Sequence, residues 1–210
     1  MEYTIQYKTT HKVWYAMKTS YGRVLKAKEQ LEKLKTECFV PMKYKKTKVN
    51  NRIKLQPTPA ISNLIFIRAD LQELEEAKKK IGFLHNMLIK SVKESVAQSN
   101  TNTNGNSKPQ KGPSTQTKSI TLEPIIIEEH LMTQFMQVLS DAKESIKFID
   151  PFTTPLSKGT KVRITDGKYK GYEGVLIRPK GSRAKKIVID INGIAYVEMP
   201  AVDVELVDII

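Results

Sequence analysis

Residues 162–178, VRITDGKYKGYEGVLIR, read as strand, turn, strand. Val162 and Ile164 alternate with Arg163 and Thr165, the period of two expected of a strand with one buried face. Asp166-Gly167 is a strong turn dipeptide, and Tyr169 and Tyr172 lie among Gly167, Gly171 and Gly174, ahead of the apolar run 175–177. A glycine inside a strand, as at Gly174, predicts a bulge or a close approach of another backbone. Further short strands are expected over 160–165, 172–178, 185–191, 194–199 and 202–207, with Asn192-Gly193 as a hairpin signal. Five strands in about 50 residues, with glycine at the corners, predict a small SH3-like β-barrel over 158–210. A barrel that small is only marginally stable on its own burial.

Working outward, residues 1–11 are polar and read as a loose, flexible extension. Residues 12–18, KVWYAMK, form a short strand, after which Ser20 is placed to cap a helix. Across 21–36 Val24, Ala27, Leu31 and Leu34 recur at helical spacing, and the other face carries Arg23, Lys26, Gln30 and Lys33. Residues 37–42, ECFVPM, return as a strand whose Pro41 suits an edge. Residues 43–54, KYKKTKVNNRIK, are densely basic and predict a hairpin turning at Asn50-Asn51. The run LIFI, 64–67, suits a central strand covered on both faces. Residues 71–80 predict a helix with acids early and lysines late, as the helix dipole prefers, and 83–89 predict a strand.

Between 91 and 119 the chain is nearly devoid of apolar side chains, so ordering it costs backbone entropy with little burial in return. It reads as a disordered surface insertion of unknown role. Order resumes at ITLEPIII, followed by a helix from about Glu128 with Leu131, Phe135, Val138 and Leu139 on one stripe. Residues 141–157, with Pro151 and Pro155, read as a linker. The expected organisation is thus a domain over 12–140, a linker, and the small barrel.

The formal net charge is +13 and the sequence pI about 9.6, a balance that favours anionic partners. Cys38 is the only cysteine, so an intramolecular disulfide is impossible, and its apolar strand makes it an inert core thiol. No apolar run approaches the ~18 residues of a membrane span. A soluble, cytoplasmic protein with no membrane contact is expected. His11, His85 and His130 are isolated from metal-ligand spacings, and GKYKGYEG lacks the order of a phosphate-binding loop. No nucleophile–base arrangement is visible. Neither an enzyme nor a cofactor is expected.

The stretch 162–178, with Lys158-Gly159 ahead of it, resembles the KOW motif of NusG transcription factors and of some ribosomal proteins. Upstream, WYAMKTSYGRVLKAKEQLEKL (14–34), CFVPM (38–42) and SNLIFIRAD (62–70) resemble the NusG N-terminal domain in order and spacing. The resemblance covers nearly all of 12–210 and implies an α+β fold, an antiparallel sheet flanked by helices, tethered to the KOW barrel. The CFVPM run is similar to the specialised, operon-specific paralogues such as RfaH. One departure is Ile61-Ser62-Asn63-Leu64, where the family usually carries Phe-Pro-(Gly/Ser/Asn)-Tyr.

The function implied is a bacterial transcription elongation and antitermination factor. Its N-terminal domain would grip the clamp helices of RNA polymerase and disfavour the paused state; Lys18, Ile61, Leu64 and Phe66 match the gripping surface. Upstream or non-template DNA would meet Tyr21, Arg23, Lys26, Gln30 and Lys33. The basic hairpin, through Lys45, Lys46, Lys48 and Arg52, is a second nucleic-acid candidate. The KOW barrel would hold a ribosomal protein or a termination factor through Tyr169 and Tyr172, and a monomer is expected. Each assignment has a plainer counterpart. Trp14 and Phe66 suit a core, the two tyrosines suit barrel packing, and the helix cations suit a solvated face. A KOW-containing ribosomal or RNA-binding protein is the alternative function.

Overall fold

The computed structural model describes residues 4–5, 11–49, 52–96, 116–142, 146–149, 159–178, 183–199 and 205–210. They divide into two units: one made of 1–8 and 88–124, the other of 9–87 and 125–210.

In the larger unit a mixed-length antiparallel sheet is built on two strands, β2 (Val13–Thr19) and β6 (Leu64–Ala69). The first strand of the chain, β1 (Thr4–Ile5), belongs to the smaller unit. Strand β3 (Glu37–Phe39) pairs with β6, while β7 (Leu84–Asn86) and β10 (Ile126–Ile127) pair with β2. The LIFI run is central and buried on both faces, as its continuous apolar character predicts. Strand parity divides its side chains. Trp14, Ala16, Leu64 and Phe66 face one way, into a core shared with Met132, Phe135 and Val138 of α3 (Glu129–Ala142). Tyr15, Met17, Ile65 and Ile67 point the other way, the face closed by the apolar sides of α1 (Val24–Lys33) and α2 (Leu71–Lys80).

The helices begin for different reasons. Asp70 caps α2 by accepting a 2.9 Å bond from the Glu73 amide, and the Glu73 carboxylate accepts one from the Asp70 amide at 3.2 Å. This capping box satisfies two otherwise orphaned donors. Ser20 does not cap α1. It sits instead in a short 3-10 turn, Ser20–Gly22, whose Tyr21 and Gly22 both have positive φ (56° and 65°), so α1 starts only at Val24. The paired strands β4 (Met42–Val49) and β5 (Arg52–Pro59) form a separate two-stranded ribbon.

The C-terminal residues form a six-stranded antiparallel sheet. Its members are β11 (Phe148–Ile149), β12 (Thr160–Ile164), β13 (Glu173–Ile177), β14 (Lys186–Ile191), β15 (Ala195–Glu198) and β16 (Val207–Ile209). Their order is β11-β15-β14-β13-β12-β16. The expected five-stranded barrel is corrected in two respects. Part of the expected linker enters the sheet, because Phe148 and Ile149 pair with Val197 and Tyr196. The ladder is also open, with no pairing of β11 to β16 among the described residues. At Gly174 the reason for glycine is proximity: an added Cβ would lie 2.8 Å from Ile187 Cγ2 and 3.0 Å from the Val188 carbonyl oxygen. Asn192 and Gly193 both take positive φ, and the Ile194 amide closes the turn on the Ile191 carbonyl at 2.8 Å. Asp166-Gly167, in contrast, opens a longer loop whose Gly171 amide returns to the Ile164 carbonyl at 2.7 Å.

In the smaller unit, β8 (Leu88–Val96) and β9 (Gln116–Pro124) form a nine-pair antiparallel ladder, with β1 added to β9 in parallel. Residues 91–96 and 116–119 were expected inside the disordered insertion; their backbones are instead paired strands. Strand pairing satisfies main-chain donors and acceptors whatever the side chains, which composition does not register. Residues 97–115 lie outside the described residues, as does most of the 1–11 extension.

Replacing Asp70 by Ala should remove one half of the capping box and cost about 1 kcal/mol. Urea unfolding should show a lower midpoint with an unchanged slope.

Candidate functional site

The residues singled out in the sequence fall at four places. At the end of the β2–β6 pair, Lys18 is exposed and lies opposite Leu64 on one side and His85 on the other. Ile61, three residues before Leu64 in the chain, is half-buried against the core. Leu64 and Phe66 are not surface residues. Both are buried, and the Phe66 ring meets Phe135 of α3 edge-on, with centroids 5.9 Å apart at 75°. Phe39 meets the same Phe135 ring at 6.0 Å. The core reading therefore holds for Phe66 and Trp14, and only Lys18 and Ile61 of the four reach solvent.

The turn into α1 displays Tyr21. Its ring is 94% exposed and its φ of 56° is unusual for a bulky residue. Such left-handed backbone costs about 1 kcal/mol or more and clusters at functional positions. Arg23 is held rather than free: its guanidinium lies 4.2 Å over the Phe83 ring and 5.6 Å from that of Tyr21, and its Nε donates to the Ser20 carbonyl. Along α1, Lys33 is tied to Glu29 at 2.8 Å and Lys28 approaches Glu32 at 3.7 Å, while Gln30 is half-buried. Lys26 is exposed. Of the five candidates in α1 and the turn before it, Tyr21 and Lys26 thus remain available, and the mixed helix carries three lysines against two glutamates.

The ribbon is the strongest positive surface. Residues 43–54 carry six cations and no carboxylate. Lys43, Lys45, Lys46, Lys48, Arg52 and Lys54 are all exposed, and the ion pairs among the described residues leave them untouched. Lys45, Lys46, Lys48 and Arg52 are the nucleic-acid candidates named from the sequence, and Lys43 and Lys54 belong to the same basic run.

In the C-terminal sheet the two tyrosines part company. Tyr169 is buried in the core that includes α3, which favours its packing role. Tyr172 is half-buried, with its ring 5.6 Å from that of Tyr169. The same loop is tied to α3 by Lys168, whose ammonium lies 3.0 Å from Asp141 Oδ1. Nearby, Gln134 accepts from the Glu173 amide, and the Asn192 side-chain amide donates to the Ile126 carbonyl. Hydrogen bonding from Lys168 lowers the Asp141 pKa below its usual 3.8, and the same bond raises that of Lys168 above 10.5. Burial pushes the Cys38 thiol up to about 11. Among the described residues no group of His, Cys, Asp and Glu side chains is arranged to hold a metal, and no helix is long and apolar enough to cross a membrane.

The residues that build α1, the ribbon, the central strand and α2 also fall within a family match. Residues 12–120 match the model of NusG, described as transcription termination factor nusG. The match takes in more than half of the chain. The chain belongs to the NusG family. Comparison with curated proteins gave no match. The NusG match includes α1, the ribbon and the β2–β6 pair, and ends before α3 and the C-terminal sheet.

Two outcomes check this geometry. A thiol raised from 9.0 to about 11 holds roughly a hundredfold less thiolate near neutral pH. Native protein at pH about 8 should therefore react with iodoacetamide far more slowly than protein in urea. For the Asp141–Lys168 pair, a carboxyl lowered on folding adds stability above its unfolded value and loses it as pH falls through the folded one. The melting-temperature gap between wild type and Lys168→Ala should stay constant from pH about 7 to 5 and close below the ordinary aspartate range.

Proposed function

We propose that the protein is a transcription elongation or antitermination factor that rides on RNA polymerase. The observation that supports this reading is the NusG match over residues 12–120, joined to a sheet built on the predicted central strand. Domains of this family bind RNA polymerase in general. The rim formed by Lys18 and Ile61 offers an accessible contact for the clamp helices, with Leu64 and Phe66 stiffening it from beneath. Binding there would favour the closed, processive polymerase over its paused form, by the difference in affinity for the two. Tyr21 and Lys26 would lie toward upstream or non-template DNA, where an exposed ring can stack on an unpaired base.

The C-terminal sheet, with its Gly174 close approach and Asn192-Gly193 turn, is read as a KOW module. It would hold a ribosomal protein or a termination factor, with Tyr172 as the accessible tyrosine. The CFVPM run supports a specialised, RfaH-like paralogue acting as a monomer in the cytoplasm, without catalysis of its own.

The protein should co-purify with core RNA polymerase and lengthen transcripts in a reconstituted elongation reaction. Lys18→Glu combined with Ile61→Glu should weaken capture at least tenfold, about 1.4 kcal/mol, while leaving the melting temperature close to wild type. Unchanged pausing and termination at saturating protein would sink this reading.

A further inference from the structure

The β4–β5 ribbon sorts its cations by face. The register pairs Lys43 with Thr58, Lys45 with Gln56, Thr47 with Lys54 and Val49 with Arg52. Directly opposed residues share a face, and alternate residues along a strand do too. One face therefore carries Lys43 and Lys45 on β4, then Lys54 and Arg52 on β5. The other carries Tyr44, Lys46, Lys48, Ile53 and Leu55.

On the first face each cation stands at a successive rung of its parity. The row changes strand halfway but keeps a step of about 6.6 Å along the ribbon, twice the strand rise. Four positive groups in single file, with Thr58, Gln56 and Thr47 as their neutral cross-strand neighbours, match a linear array of negative charges. They do not match a single compact anion, which would need the cations to converge.

We propose that this face, Lys43, Lys45, Lys54 and Arg52, binds the phosphate backbone of a DNA duplex. A duplex fits better than a single strand. Single-strand binders add aromatic platforms for unpaired bases, and the aromatic residue of the ribbon, Tyr44, lies on the other face. Lys46 and Lys48 are outside the contact. This inference deepens the nucleic-acid side of the function proposed above, and rests on it for the choice of DNA over RNA. The ribbon itself is two strands solvated on both faces, with Ile53 73% exposed, so it is only marginally stable alone.

The test is fluorescence anisotropy of the full chain on a short random-sequence DNA duplex and on one of its strands, over a series of salt concentrations. Three variants are compared. The first replaces Lys43, Lys45, Arg52 and Lys54 by Gln, the second replaces Lys46 and Lys48 by Gln, and the third replaces Lys43, Lys45 and Lys54 by Arg. Each lost phosphate contact removes about 0.9 from the slope of log K against log salt, so the first variant should flatten it by roughly 3.5. Its affinity at low salt should fall at least about tenfold, and the second and third variants should stay close to wild type.

Circular dichroism of every variant checks the fold. The inference is overturned by an unchanged slope in the first variant, by an equal loss in the second, or by tighter binding of the single strand than of the duplex. Polymerase capture by the wild type is read separately. Its failure alongside the expected slopes removes the proposed function and leaves the duplex contact standing.

Discussion

The larger unit depends on one ring. Phe135 of α3 sits edge-on to both Phe66 and Phe39, and through it the helix closes one face of the β2–β6 sheet. An edge-to-face aromatic pair is worth about 0.5–1.5 kcal/mol beyond its buried area, so the trio contributes more than any surface ion pair nearby. The helix joins the two sheets of this unit in one core. Met132, Phe135, Val138 and Leu139 join a buried cluster that continues into Val162, Ile164, Ile187 and Ile189 of the C-terminal sheet. Polar links across the same boundary, Lys168–Asp141 and Gln134–Glu173, set orientation more than they add energy.

That dependence explains which parts of the fold were legible in the sequence. The LIFI run announced a strand buried on both sides because no polar residue interrupts it, and period two already implied that Phe66 and Ile65 face opposite layers. Periodicity could not say what covers each face. The partner of Phe66 lies about 70 residues downstream, beyond the polar stretch, and helix choice over that distance is a tertiary matter. Hence the burial of Leu64, which the family resemblance placed at a contact surface, was not legible, whereas the strand pattern already suited Phe66 to a core. Local backbone choices were equally hidden. Ser20 had the chemistry of a cap, but the left-handed pair Tyr21-Gly22 delayed the helix to Val24. Residues 91–96 and 116–119 looked too polar to order, yet ladder hydrogen bonds need no apolar side chain.

The candidate surfaces were legible to different depths. On α1 the spacing Glu29 to Lys33 and Lys28 to Glu32 is the i,i+4 pattern of paired charges, so partial neutralisation of that face was there to be read. In the ribbon the absence of any acid between 43 and 54 marked it as the stronger positive region. Its division into faces needed the register, in which Val49 pairs with Arg52. Once that pairing is granted, Lys45 and Arg52 separate from Lys46 and Lys48 by parity alone. Lys43 and Lys54 then join the first pair at the same step.

For the polymerase contact proposed above, energetics favour the rim over the buried face. Exposing Leu64 and Phe66 means lifting α3, which strips Phe135 as well. At about 2 kcal/mol for each large apolar side chain, the three amount to roughly 6 kcal/mol before any further loss. An equilibrium shifted by about 5.5 kcal/mol passes from 99:1 to 1:99, so a partner reading that face would need a ~10⁴-fold preference for the opened form. Lys18 and Ile61 demand no such opening, since both already reach solvent. A partner engaging them spends its affinity on contact alone. The rim is therefore the more economical place for the proposed contact, since the aromatic trio stays packed.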